Sequence, residues 1–343
     1  MRPKAGMRRA PTLPVRQNGD SSVADALNLE RRPTEHHAIP VNVLRQWCVP
    51  NYILAITDLH DEEALLCHVI RQARFSGARV LLAHVAQPSG VLPGHSRSSL
   101  QTRSMSRTQG AQYAVECMAR KLRWVGVPCE PLVLEGHPEE KIPALARSCG
   151  VDRIIVTSRQ ASNLAGPGFV SIAEQVLPRL QAPACIVGPS VPAIPQSIKQ
   201  NGRVTLAISL DSDIELPLSF ACRFAQEHRA KLTVIHVFAR DEHGTQFRQR
   251  TPVAIAAQLP HWAHQGAEFL CPLEITVREG DPAEELLVHD ATTRPDTLIL
   301  CSANLSCASQ CGVKSLTHRI VSDARCPVIV LGKRRPDIAC WGL

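Results

Sequence analysis

The chain has 343 residues, 44% hydrophobic and 20% charged, a composition typical of a globular protein of about two domains. It contains no run of about 18 apolar residues, the length that a membrane span needs, so we expect no membrane partner. Aromatic residues make up only 4%, and residues 1–50 hold +4 of the formal net charge of +7, which leaves the rest nearly neutral and argues against nucleic-acid binding.

Residues 1–48 mix Pro, Arg, Ser and Asn without apolar periodicity, which predicts a disordered basic tail. Because this segment lacks the apolar core of a secretory signal, we expect the protein to be cytoplasmic. Thirteen cysteines, an odd number spread along a long chain, then favour reduced thiols over a disulfide framework. A second tail is expected over residues 334–343.

The first half of the chain alternates apolar runs with amphipathic segments. Strands are predicted over 52–58, 79–85, 130–135, 153–158 and 184–188, and helices over 62–73, 106–124, 139–148 and 172–180. The strands are nearly continuous runs of Val, Ile and Leu, which is typical of a parallel sheet covered by helices on both faces. Ligands of such sheets bind at the carboxyl ends of the strands.

The segment 191–202, with its prolines and Asn201-Gly202, predicts a linker, and the sequence beyond it repeats the first half. The repeat is carried by three pairs of segments at one offset of 144 residues: 135–138 with 279–282, 152–158 with 296–302, and 183–188 with 327–332. A constant offset over such a distance indicates a tandem duplication.

In each copy a strand ends in His-Val at His84 or His236, a Gly-x-Pro turn precedes a helix, and an Asp precedes the fourth strand. This pattern resembles the universal stress protein family over about 51–189 and 203–333. The resemblance implies two flavodoxin-like (adenine nucleotide alpha hydrolase-like) domains, 51–190 and 203–333, each a five-stranded parallel sheet in the order 3-2-1-4-5 with helices on both faces. Members often dimerise through the last strand, so we expect an intramolecular pseudo-dimer, with a homodimer left open.

Nucleotide-binding members of this family carry glycines between the fourth strand and the fourth helix, where backbone N–H groups and a helix N-terminus hold phosphate. The matching positions are Thr157, Gln160, Val170 and Ser171 in the first half, and Cys301, Asn304, Lys314 and Ser315 in the second. Only the two serines survive, and a helix N-cap, which needs no ligand, is the favoured role for both. Because every glycine has gained a Cβ atom, we expect weak or no binding of ATP, the one possible cofactor.

Family members that bind ATP usually place an Asp near the adenine, at the end of the first strand. The first half has Asp58 at this position, and the second half has Ser209. Asp58 is either such a contact or a solvated residue at a strand end. The resemblance therefore makes the first domain the better candidate for a nucleotide.

Three cysteines, Cys301, Cys307 and Cys311, lie in one loop, and His318 follows on the next helix. Three thiols and an imidazole could bind zinc, but their spacing matches neither paired CxxC nor CxxC with HxxxH. A redox-sensing thiol near a helix N-terminus and an ordinary loop are the alternatives. We expect no metal site.

No GxSxG, HExxH or P-loop motif occurs, and His84 and His236 are expected to be structural. The sequence therefore predicts a tandem, non-enzymatic stress-response or regulatory protein that acts through contacts with protein partners. The alternative is an adenine-nucleotide-binding switch that uses mainly the first domain.

Overall fold

A computed structural model describes residues 48–59, 62–87, 97–158, 172–192, 202–209, 214–238, 255, 264–265, 268–269, 271–301 and 316–332. The strands of the first repeat are β1 (Tyr52–Ile56), β2 (Arg79–Ala86), β3 (Cys129–Glu135), β4 (Arg153–Thr157) and β5 (Ala184–Val187). Its helices are α1 (Glu62–Ser76), α2 (Arg97–Trp124), α3 (Pro138–Ser148) and α4 (Ile172–Val176). Within these ranges no helix, α2 included, has the length and apolarity needed to cross a bilayer.

The second repeat has the same plan. Its strands are β6 (Gly202–Ile208), β7 (Ala230–Phe238), β10 (Leu273–Glu279), β11 (Thr297–Cys301) and β12 (Val328–Leu331), with a two-residue pair, β8 (His264–Gln265) and β9 (Glu268–Phe269), between β7 and β10. Its helices are α5 (Glu215–Glu227), α6 (Pro282–Thr293) and α7 (Leu316–Asp323). Residues 239–254, 256–263, 266–267 and 270, between β7 and β10, lie outside the described residues.

The two repeats share one ten-stranded sheet in the order β10-β7-β6-β11-β12-β5-β4-β1-β2-β3. In this sheet each half has the order 3-2-1-4-5 from its outer edge, and all strand pairs of this sheet within a half are parallel. The closing strands β5 and β12 pair antiparallel and join the halves. The tandem flavodoxin-like fold expected from the sequence is confirmed.

Each face of the sheet carries one hydrophobic core that runs through both repeats. On one face α1, α2 and α5 pack over the strands, with Val69, Met118 and Phe220 fully buried. On the other face α3, α4, α6 and α7 pack, with Ile142 and Ile320 fully buried. Strand residues alternate between the two cores, so Ile53 belongs to the first and Leu54 to the second.

The Asp before each fourth strand ties that strand to the first strand of its repeat. The Asp152 carboxylate accepts the backbone N–H groups of Asn51 at 2.8 Å and Tyr52 at 3.0 Å. Asp296 accepts the N–H of Arg203 at 2.8 Å in the same way. These contacts satisfy donors at the amino ends of β1 and β6, so both aspartates have a structural role.

The structure corrects several element bounds. Helix α2 begins at Arg97 rather than at residue 106. Its first turns are polar and carry no apolar period, so the sequence pattern did not indicate them. The helix predicted over 172–180 continues only to Val176 and then tightens into a 3-10 turn containing Pro178, which has no N–H to donate. The ten described cysteines are free thiols.

The structure also corrects the bounds that the sequence predicts for the tail and the linker. The tail predicted over 1–48 includes Cys48, which the structure instead buries in the core, with its thiol 3.7 Å from the carbonyl oxygen of Phe220. Within the linker predicted over 191–202, Val191 is buried in the core and Gly202 is the first residue of β6. Residues 1–47, 193–201 and 333–343 lie outside the described residues.

A buried arginine and a stack of rings lie where the repeats meet. Arg153 is 1% exposed, and its guanidinium donates to Gln72 Oε1 at 3.0 Å and to the Cys48 carbonyl at 3.2 Å. It also lies 5.3 Å from the ring centre of Phe224 in the second repeat. The His228 ring stacks between Phe224 and Phe75, with centroid distances of 3.9 and 4.3 Å.

Two shielded histidines, His228 in this stack and His68 in α1, predict a loss of stability in weak acid. Burial, helped by the nearby Arg153, lowers the pKa of His228 to about 3, and burial lowers the pKa of His68 to about 4. The unfolded chain, with ordinary histidine pKa values near 6.5, therefore binds more protons than the folded chain below that pH. The stabilisation is complete above about pH 6.5 and is lost as the pH falls toward these lower values.

We expect the free energy of unfolding in urea to be about 1–2 kcal/mol lower at pH 5 than at pH 7.5 for each shielded histidine. A His228→Gln variant, which takes up no proton there, should lose part of this dependence. Identical pH dependence in parent and variant would contradict the assignment to His228.

Candidate functional site

The carboxyl ends of β1 and β4 form the candidate site of the first repeat. These strands are parallel neighbours with Ile56 opposite Val156, so continuing this register brings Asp58 beside Ser158. Because the chain leaves β1 toward the α1 face and β4 toward the α4 face, the strand order changes direction here. A crevice at such a switch point is the usual ligand position in open α/β sheets.

The turn after β1 shapes this end of the sheet. Thr57 is buried, and its Oγ1 accepts the N–H of Leu59 at 3.0 Å and lies 3.7 Å from Met118 Sδ on α2. Leu59 has φ of +69°, a left-handed conformation that is unfavourable for a side chain with a Cβ atom. Asp58, between these residues, is half-buried and hydrogen-bonded or charge-paired within the protein.

Thr157 ends β4 and is 6% exposed, so its side chain is in the protein interior rather than in an open crevice. The next residue, Ser158, donates its N–H to the Val187 carbonyl at 2.9 Å, which extends the pairing of β4 with β5. The described end of β4 is therefore held by its neighbour. Gln160, Val170 and Ser171, the other predicted contacts, lie outside the described residues.

The second repeat places Ser209 and Cys301 at the corresponding ends of β6 and β11. His84 and His236 establish the correspondence, because their Nδ1 atoms lie 2.9 Å from the Thr57 carbonyl and 3.2 Å from the Ile208 carbonyl, respectively. Ser209 therefore takes the position of Asp58, and both histidines join the second strand to the first. Cys301 pairs with Leu331 of β12 and is half-buried.

The loop that follows Cys301 carries the remaining predicted positions. Asn304, Cys307, Cys311, Lys314 and Ser315 all lie outside the described residues. His318, on α7, is described and half-buried. Among the described residues no group of three His, Cys, Asp or Glu side chains is placed to hold a metal ion. The role of Cys301, Cys307 and Cys311 is therefore untested, and the expected lack of a metal site stays a prediction.

Burial disfavours ionisation of several of the described thiols. Burial raises the pKa of Cys222 and Cys129 to about 12 and that of Cys271 to about 11. These thiols stay protonated at neutral pH, and the thiolate is the reactive form.

A model of the universal stress protein family matches residues 51–188 and 201–332. The chain belongs to the universal stress protein family. Both repeats match, so the duplication read from the sequence is a duplication of this domain. No curated protein sequence matches the chain significantly.

Solved structures of the same architecture match across both repeats. A universal stress protein from Archaeoglobus fulgidus superposes with a TM-score of 0.65 at 18% identity, over 86% of this chain and 100% of that one. A putative universal stress protein from Pseudomonas aeruginosa UCBPP-PA14 gives 0.54 at 12% identity, over 83% of this chain and 94% of that one. At these identities the likeness concerns the fold.

Sequence reasoning missed Arg153, the largest fully buried side chain at the repeat junction. A signal was present, because Arg153 opens a strand whose other residues are Ile, Ile, Val and Thr. A charged residue at the start of an apolar strand is typical of a solvated strand end. Here a ring of the second repeat covers the Arg153 side chain. Its counterpart in the second repeat is Thr297, which carries no charge.

Proposed function

We propose that this tandem universal stress protein is a non-enzymatic stress-response or regulatory module that acts through protein contacts. The observation that carries the proposal is the shared ten-stranded sheet, in which the closing strand of each repeat is covered by the other. Fusing two copies replaces an encounter between subunits by a contact within one chain, at high effective concentration. The second repeat is then a permanent partner of the first, and the outer surfaces are left for other proteins.

The chemistry at the strand ends supports this proposal. In the second repeat Ser209 and Cys301 take the positions where the resemblance leads us to expect a carboxylate and a glycine. In the first repeat the Thr157 side chain is buried where a phosphate would approach the backbone. Homodimerisation and the identity of the protein partners belong to the same proposal.

The alternative function is an adenine-nucleotide switch in the first repeat, and Asp58 is the observation that favours it. This carboxylate lies at the switch point between β1 and β4, half-buried, where the resemblance places an adenine contact. The register gives a matched control, because Ser209 occupies the same position in the second repeat.

Titration of ATP into the intact chain separates the two functions. We expect weak binding or none, and no hydrolysis of ATP. Micromolar binding, about −8 kcal/mol, would overturn the proposal and establish the switch. In that case Asp58→Ala should abolish the tight binding and Ser209→Ala should leave it unchanged.

Restoring the glycines tests why binding is weak. Glycine at Thr157, Gln160 and Val170 together restores the residue type that, according to the resemblance, lets phosphate approach the backbone closely. We expect ATP affinity to rise at least tenfold by isothermal titration. Lys314→Gly in the second repeat removes a Cβ atom but also a positive charge, and we expect the charge to matter less because exposed ion pairs contribute only about 0–1 kcal/mol. An unchanged affinity in the triple variant would show that backbone access does not limit binding.

A further inference from the structure

A cavity of about 550 Å³ lies at the junction of the repeats, at the amino ends of β6 and β11. The first repeat contributes α1, through His68 and Arg71, and the segment 190–192 that follows β5. The second repeat contributes the end of α6, the start of β6 and the turn before β12. This volume is within the usual range of small-molecule sites, about 300–1,000 Å³. The cavity is at the end of β6 and β11 opposite to Ser209 and Cys301.

The inner wall of the cavity contains two buried hydrogen-bond acceptors without a partner. His68 and Asp290 are each 3% exposed. The Asp290 Oδ2 atom accepts the N–H of Arg325 at 2.9 Å, whereas among the described residues Oδ1 has no hydrogen-bond partner. Cys326, which also lines the cavity, hydrogen-bonds to the same carboxylate.

The imidazole of His68 is held in one tautomer. It hydrogen-bonds to the backbone of Pro192, which offers only a carbonyl, so a ring N–H must donate. Nε2 has no hydrogen-bond partner among the described atoms, so Nδ1 is the donor and Nε2 carries a lone pair. Burial lowers the pKa of His68 to about 4, so the ring is neutral at pH 7. Both unpartnered atoms therefore need a donor.

The lining of the cavity carries a net positive charge. It contains four arginines and three aspartates, which leaves one net positive charge with His68 neutral. Arg71 lies 3.9 Å from Asp296, and the Arg203 guanidinium donates to the Thr293 carbonyl. Within the described part of the chain, the exposed guanidinium groups of Arg294 and Arg325 make no hydrogen bond or ion pair. Two guanidinium groups are thus available to an anion.

We propose that this cavity binds a small organic anion that carries an N–H or O–H donor beside its charge, such as a hydroxy acid or a phosphorylated amino acid. The negative group is held by Arg294 and Arg325 at the mouth. The donor reaches one of the two buried acceptors, Asp290 Oδ1 or His68 Nε2, whose lone pairs are otherwise unsatisfied among the described residues. Because both repeats line the cavity, a ligand there stabilises the repeat junction. The site is independent of the nucleotide question at the opposite strand ends.

Isothermal titration of the full chain with matched anions tests the ligand class. Citrate and tricarballylate differ only by the hydroxyl group of citrate. O-phosphoserine is a second candidate, which carries a phosphate as the anion and an ammonium group as the donor. We expect submillimolar binding of O-phosphoserine, or of citrate at least tenfold more tightly than tricarballylate. The proposal is overturned if neither citrate nor O-phosphoserine binds at 10 mM, or if citrate and tricarballylate bind equally and O-phosphoserine does not bind.

Two variants locate the binding. Arg325→Gln removes a charge at the mouth from an exposed side chain, and Asp290→Asn replaces the inner acceptor, because the amide carbonyl must take the Arg325 N–H and leaves an NH₂ group toward the cavity. We expect each to weaken binding at least tenfold. Arg79→Gln, an exposed arginine at the start of β2, is the control and should bind as the parent does. Parent-like affinity of Arg325→Gln would overturn the proposal even if Asp290→Asn fails to fold.

Discussion

A Gly188→Ala variant is expected to unfold at a temperature lower by about 6–12 °C than the parent, which corresponds to about 3 kcal/mol of overpacking. Gly188 follows β5 in the first repeat, and a Cβ atom there would overlap the backbone oxygen of Val321 in α7 of the second repeat. A backbone atom cannot turn aside as the end of a flexible side chain can. The two repeats must therefore separate locally, in a region where Ser190 Oγ also donates to the Ser322 carbonyl at 3.1 Å.

The duplication supplies a graded comparison for this variant. Gly332, the counterpart of Gly188, would place its Cβ atom 2.9 Å from the Leu180 oxygen of the first repeat, so Gly332→Ala should cost less, about 1 kcal/mol. Gly110 in α2 has no atom within 4 Å of an added Cβ, so Gly110→Ala should be neutral or stabilising by up to about 1 kcal/mol. Thermal unfolding by circular dichroism measures all three. If Gly188→Ala and Gly110→Ala melted alike, close approach of the repeats would not be limiting.

Truncation of Arg153 to alanine is expected to cost about 3–5 kcal/mol. The change removes the donors for Gln72 Oε1 and the Cys48 carbonyl and leaves a cavity beside Phe224. Each buried acceptor left without a donor costs about 1–3 kcal/mol, and the cavity adds to this. Urea denaturation at pH 7.5 gives the free energy of unfolding.

Two further variants separate the parts of this effect. Arg153→Met fills most of the space without restoring the donors for the two acceptors, so it should cost less than Arg153→Ala, about 2–3 kcal/mol. Arg79→Ala, at an exposed arginine, should change stability by no more than about 0.5 kcal/mol. A loss in Arg153→Ala as small as that in Arg79→Ala would mean that the buried guanidinium does not hold the repeats together.

The strands and helices could be predicted because their causes are local. The buried strands are runs such as Ile154, Ile155 and Val156, and the helix α1 repeats Leu65, Val69 and Ala73 at one spacing. Such patterns identify an element and the face that it buries. Where they are weak, as over the polar first turns of α2, the prediction began too late. The duplication was equally visible, because a constant offset needs no knowledge of contacts.

The candidate site at the strand ends was predictable in part. Parallel strands bring their carboxyl ends to one edge, so Asp58 and Thr157 were expected to share it, and the register places them on neighbouring strands. Sequence could not tell that Thr157 is buried, since burial depends on the strand that pairs beside it. The predicted contacts in the loops before α4 and α7 remain predictions.

By itself the sequence determined the family, the α/β class and the two copies of the fold, because periodicity and repeated motifs are properties of neighbouring residues. Only the tertiary structure decided how the copies meet: the antiparallel pairing of Ala184 with Val330, the close approach at Gly188, and the burial of Arg153 under a ring from the other repeat. It also decided that His68 and Asp290, 222 positions apart in the chain, line one cavity. Such contacts join residues with no local pattern in common, and their stability depends on which surfaces face each other after both copies have folded.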